Sequence, residues 1–245
     1  SLSQKTHPNE HAEVLMTGNA GYGTRIAIAA VILMISLIGG RIVPSFTNNW
    51  LNRNNPGRLP VPFSQFDMVA LVISAFALVT WIITPTQWLS GVLLIVAGCL
   101  QAVRLARWAG DRTVADRLVL ILHIGYAFVP LGFFMVGLAA FTAEVPATAG
   151  IHAWTAGAIA LMTVAVMTRA TLGHTGQPLQ AGRATQAIYA LLLAGVLVRI
   201  VAAFMGSVDL LEFAGLCWTA AFILFVLLYG PLLAMRSPGW SETRR

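Results

Sequence analysis

Apolar positions along this chain come in long unbroken runs, neither alternating nor recurring every third and fourth residue, and each run is bounded by a short polar stretch. A window of about 19 residues, enough at 1.5 Å per residue to cross a hydrocarbon core roughly 30 Å thick, isolates the spans. Seven segments qualify: Arg25 to Val43, Phe66 to Thr84, Gln87 to Trp108, Arg117 to Phe141, Ala149 to Arg169, Thr185 to Met205, and Asp209 to Met235. Backbone groups in lipid must be satisfied within their own segment, and continuous runs do not suit barrel strands, so the segments are read as helices. The predicted fold is all-α: a polytopic transmembrane bundle of about seven helices over residues 25–235, after a polar segment 1–24 and before a tail 236–245.

Composition excludes a water-soluble enzyme. The chain is 58% hydrophobic and 10% charged, with a mean hydropathy of +0.78, whereas soluble domains carry roughly 25% charged residues. A net charge of +6 and a pI near 10.2 do not argue for nucleic acid, because the basic residues are arginines scattered between apolar runs, with Lys5 the single lysine. The arginines instead follow a phase. Arg41, Arg53 and Arg58 come after the first run, Arg104, Arg107, Arg112 and Arg117 after the third, Arg169 and Arg183 after the fifth, and Arg236, Arg244 and Arg245 after the seventh. The even connections carry Glu144, Asp209 and Glu212 instead. By the positive-inside rule the N-terminus is periplasmic and the C-terminus cytoplasmic. Residues 1–24 hold no apolar stretch of the signal-peptide kind, so further helices are expected upstream or on a separate subunit. Trp81, Trp88 and Trp154 read as an outer aromatic belt, and Trp50, Trp108 and Trp240 as an inner one.

In so apolar a chain, ionisable residues at membrane depth carry the chemistry. His123 lies about two turns into the fourth run and His152 opens the fifth. Neutral imidazole is a common ligand for haem and metals, so both are candidate ligands beside the alternative of a hydrogen-bonded packing role. His174 sits in the loop after the fifth run, and His11, with His7, in the first polar segment. His123 and His152 fall toward opposite faces, roughly 20 Å apart along the normal, too far to share one metal. His123 could pair with His174 on one side and His152 with His11 or His7 on the other, so the sequence allows two sites, or one site with its second ligand supplied from elsewhere. Gly157 and neighbouring alanines suit either a macrocycle or another helix. Gly39-Gly40-Arg41 followed by Pro44 reads as a helix end where backbone approaches closely and where Arg41 either holds an anion, a haem propionate or a substrate, or snorkels to the cytoplasmic interface. Arg199 stands alone among apolar residues, with Asp209 or Glu212 its expected partners. Cys99 and Cys217 form no CxxCH, so any haem is b-type. A retinal protein is excluded, since no lysine lies in the last helix.

Four strings, Gly39-Gly-Arg-Ile-Val-Pro-Ser-Phe-Thr47, Ala106-Arg-Trp-Ala-Gly-Asp111, Tyr126-Ala-Phe-Val-Pro-Leu-Gly132 and Met162 through Pro178, resemble the NnrS family. The resemblance covers nearly all of residues 9–235. It implies a bacterial inner-membrane protein of nitric oxide metabolism or nitrosative-stress relief, binding haem b and copper. It implies His152, His123 and His174 as cofactor positions and His152, His123 and, as a weaker match, His11 as metal positions; Arg41 is a cofactor-binding candidate on the residue pattern alone. Members of the family usually have about twelve helices and an outer Trp-His-Ala-His-Glu motif, and neither feature occurs here. The expectation is therefore a C-terminal portion or split form whose missing helices come from elsewhere. Its other partners are membrane lipid and the gaseous ligand nitric oxide. Competing readings are a membrane cytochrome b, an assembly or partner subunit of a respiratory complex, and a small-molecule or metal transporter.

Overall fold

The computed structural model describes residues 8–234, with side chains from Gly21 onward. It is 82% helical and, among the described residues, has no strand. The elements are α1 (Pro8–Asn54), α2 (Gln65–Ile83), α3 (Trp88–Ala106), a short 3-10 turn (Gly110–Arg112), α4 (Arg117–Leu138), α5 (Ala147–His152), a π-helical segment (Ala153–Leu161), α6 (Met162–His174), α7 (Arg183–Met205) and α8 (Val208–Ala234). Since α5, the π segment and α6 are continuous, seven helices among the described residues are long and apolar enough to cross a membrane. The chain is a membrane protein.

Short connections make sequential helices antiparallel neighbours, α2 with α3, α3 with α4 and α7 with α8. The centre is α4, which packs against α1, α3, α5, the π segment and α6. Two thirds of its apolar stretch is buried inside the protein, against about a fifth for α8 at the periphery. Leu118, Leu122, Tyr126, Val129 and Phe133 fill the middle of the bundle from this helix. The exposed side chains of α2, α7 and α8 are large and apolar, among them Val72, Phe76, Leu216, Val226 and Leu227, as a lipid-facing surface requires.

Two local expectations are corrected. The first helix does not stop near Val43. It runs through Pro44 to Asn54, because proline forfeits one backbone donor without forcing termination and Thr47 Oγ1 bonds back to the carbonyl of Val43 at 2.8 Å. Three of the tryptophans assigned to interfacial belts are core residues: Trp81, Trp108 and Trp154 are almost wholly buried. Trp154 packs edge-on against Trp81 and Phe133 and donates its Nε1–H to the carbonyl of Val129 at 3.0 Å. Trp88, by contrast, is exposed.

Candidate functional site

The antiparallel order sends α1, α3, the α5–π–α6 span and the helices between them back and forth, so the candidate residues separate to two ends. At one end lie Thr24, His152, Arg199 and Gly215; at the other lie Thr47, Arg104, His123 and Arg169. From Thr24 to Thr47 the helix rises roughly 35 Å.

At the first end a cavity of about 740 Å³ opens between α1, α5, the π segment, α7 and α8. Ile28, Ile151, Trp218 and Phe222 give it apolar walls, and His152 and Arg199 are its charged or ionisable groups. The volume is within the usual few hundred to a thousand Å³ of small-molecule and cofactor sites. His152 is half-buried and its Nδ1 accepts from Arg199 Nε at 3.4 Å, long for a hydrogen bond and therefore weak. The expected carboxylate partners of Arg199 are corrected here: no ion pair joins it to Asp209 or Glu212 among the described residues, both of which are exposed. The winding changes immediately after His152, where nine residues take the wider π form. Such segments recur at functional sites. Of the small-residue patch around Gly157, Ala156 lines this cavity but Gly157 does not. It receives Phe128, whose Cγ would lie 2.4 Å from a Cβ at Gly157, so that glycine serves helix packing.

At the second end the arrangement is tight. His123 is 6% exposed. Thr47 Oγ1 donates to Val43, which leaves its lone pair to accept from His123 Nε2–H at 2.8 Å. With Nε2 as the donor there, the Nδ1 of the ring is buried without a hydrogen-bond partner. Gly110 presses on that edge, since a Cβ there would lie 2.5 Å from Nδ1. Ala109, just before, is held in the left-handed region at φ 54°, a conformation costing roughly 1–2 kcal/mol outside glycine. A ligand on His123 would have to displace either Thr47 or Gly110.

Beside His123 lies a network that sequence reasoning missed. Arg104 is wholly buried, donating Nε to Asp67 Oδ1 at 3.0 Å, and Nη1 to the Ser36 carbonyl at 2.6 Å and to Tyr126 Oη at 3.1 Å. Tyr126 in turn donates to Gln101 Oε1 at 2.7 Å, and Gln101 Nε2 to Ser74 Oγ at 2.9 Å. Asp67 also accepts the backbone N–H of Ser64 at 2.9 Å, so one carboxylate caps α2 and neutralises α3. Trp108 stands edge-on to Tyr126 and near the guanidinium of Arg104. Removing either partner of such a pair leaves a buried charge and costs about 3–5 kcal/mol. The group is built to hold α1 through α4 together.

The remaining candidates stand apart. His174 is exposed in the last turn of α6, and no hydrogen bond or ring contact joins it to His123 among the described residues. Arg41 is exposed on α1 beside Pro44 and Phe63. It lies roughly 25 Å along α1 from Thr24, so it cannot reach a ligand seated at His152. His7 and the side chain of His11 lie outside the described residues. Among the described residues no group of three or more His, Cys, Asp or Glu is arranged to hold a metal ion. Cys99 and Cys217 are free thiols.

Seven membrane-length helices around a buried ionic network, with an apolar cavity carrying one histidine and one arginine, define a polytopic helical membrane protein with a candidate cofactor pocket. The chain matches the NnrS protein family over residues 9–236, nearly its whole length, and belongs to that family. No curated protein and no solved structure matches it.

Proposed function

We propose that the protein acts in nitric oxide metabolism or nitrosative-stress relief in the bacterial inner membrane, binding haem b in the cavity at His152 and copper through its histidines. The observation that carries the reading is the cavity of about 740 Å³ with an imidazole and a guanidinium set in apolar walls, in a chain of this family. The residues present fit a haem in volume, in lining and in the pairing of one ligand nitrogen with one cation. They impose one condition. Arg199 must release Nδ1 of His152, because a guanidinium only donates and a ligating histidine ordinarily turns its second nitrogen toward an acceptor. The 3.4 Å separation makes that release cheap.

In this reading His152 supplies the ligand nitrogen, and Arg199, once released, holds an anionic edge of the group such as a propionate. Trp218, Phe222 and Ile28 keep water from the site. Haem iron, when bound, supplies a position for a diatomic gas such as nitric oxide. For copper the described residues offer single imidazoles, His152 at one end and His123 at the other, with His174 in the last turn of α6. Its further ligands are proposed to come from His11 or from a segment or subunit carrying additional helices. The absorption spectrum of the purified protein, reduced and then exposed to nitric oxide, tests the reading. A haem spectrum that shifts with nitric oxide and a pigment that leaves in acid acetone are expected. Haem that stays attached to the chain, or a featureless spectrum from haem-replete cells, would contradict it.

A further inference from the structure

At the end of the bundle opposite His152, a second cavity of about 650 Å³ is lined by Arg53 of α1, Arg117 of α4 and Arg169 of α6. We propose that it is a binding site for a phosphate-bearing anion. The three guanidinium groups come from three helices well apart in sequence and meet on one cavity. Positive-inside topology needs arginines at this end, but it does not need them to converge.

Among the described residues none of the three is within ion-pair distance of a carboxylate, although the charge of Asp116 acts on Arg169 from farther off. The ion pairs among the described residues use Arg58, Arg104 and Arg107 instead. The guanidinium carbon of Arg169 lies over the ring of Phe46, 4.2 Å from its centroid, which restrains the group, and its Nη1 is buried with no hydrogen-bond partner. A planar donor restrained by an aromatic ring and left with an unused N–H is suited to a tetrahedral oxyanion. The acidic residue on the cavity is Asp116, and its Oδ1 already accepts the N–H groups of Leu118 and Val119 at 2.9 and 3.3 Å, capping α4. Three arginines against that one carboxylate leave the cavity a positive excess, and the amide of Asn49 at its edge adds donors, whereas Gln186 Nε2 already donates to the carbonyl of Ala181 at 2.8 Å. Its position at the ends of membrane-length helices suits a phospholipid headgroup, and the same chemistry admits a soluble phosphate.

The test uses the full chain, purified in detergent and stripped of lipid. Thermal unfolding is followed while short-chain phosphatidylglycerol or inorganic phosphate is titrated in, against chloride at matched ionic strength. Saturable stabilisation is expected, with an apparent Kd raised at least tenfold in Arg169→Gln and in the double variant Arg53→Gln/Arg117→Gln. Saturation by phosphatidylglycerol at a tenfold lower concentration than by phosphate identifies a lipid headgroup; equal or tighter binding of phosphate identifies a soluble anion. The side chains of Arg53 and Arg117 are exposed, so that double variant folds and decides the matter even where Arg169→Gln does not. No saturable response to either anion, or a response undiminished in the double variant, overturns the proposal.

Discussion

A guanidinium without access to water rests on the backbone of Gly40, so close that a Cβ there would stand 2.0 Å from Arg104 Nη2. Arg104 cannot simply swing aside, because its other nitrogens are committed to Asp67, Ser36 and Tyr126. Gly40→Ala is therefore expected to lower stability by about 1–3 kcal/mol through overpacking. Gly39→Ala should be milder, since the nearest atoms there are Tyr126 ring carbons at 3.3 Å. Thermal unfolding of the two variants in detergent checks the order, and a Gly39 variant as damaged as the Gly40 one would refute this account of the pair. The sequence announced a close approach at this glycine pair, but not that the group approaching it is Arg104. Arg104 reads as one of a string of loop arginines with Arg107, Arg112 and Arg117, and nothing in hydropathy distinguishes the one that turns inward. The usable signal was Asp67, a carboxylate already inside the second apolar run, which needs a cationic partner at that depth.

Among the elements, the fifth span is the least regular, and its winding sets which side chains reach the core. Over the π segment Trp154 lands against Gly132 while Gly157 takes Phe128. Gly157→Ala should destabilise by roughly 1–3 kcal/mol by driving into that ring. Gly215→Ala, on α8 where nothing lies within 4 Å of a Cβ, should be neutral or stabilising by up to about 1 kcal/mol, the helix-propensity gain. Unfolding midpoints with circular dichroism measure both, and the reverse order would contradict the packing. The existence and type of the helices were legible because a run of some twenty apolar residues has one solution in lipid. Their ends and windings were less so. Hydropathy falls after Val43, where Asn48, Asn49, Asn52 and Asn54 accumulate, yet helical hydrogen bonds continue because they do not depend on side-chain polarity. The π form left no trace in the pattern, and buried Trp81, Trp108 and Trp154 resemble interfacial ones until packing is known.

For the molecule as a whole, the candidate chemistry divides between two ends, an apolar cavity at one and an ionic clamp with an arginine-lined pocket at the other. Orientation follows from the arginine phase, with the arginine-rich end expected to be cytoplasmic. With Cys99 and Cys217 replaced by serine, a cysteine at Glu144, in the exposed loop between α4 and α5, should react with an impermeant maleimide in cells with a permeable outer envelope. One at Gln177, between α6 and α7, should react only after the inner membrane is opened. The opposite pattern would invert the topology. The division into ends was legible from the spacing of His123 and His152, whereas the cavity was not, because its walls come from helices far apart in sequence. The central claim is that His152 holds the cofactor there. Haem content per chain, measured by pyridine haemochrome on His152→Ala and His123→Ala purified side by side, tests it most directly. Loss of haem in His152→Ala with the unfolding transition retained, and occupancy preserved in His123→Ala, is expected. Full occupancy in His152→Ala with loss in a folded His123→Ala would place the centre at the arginine-rich end and contradict the account.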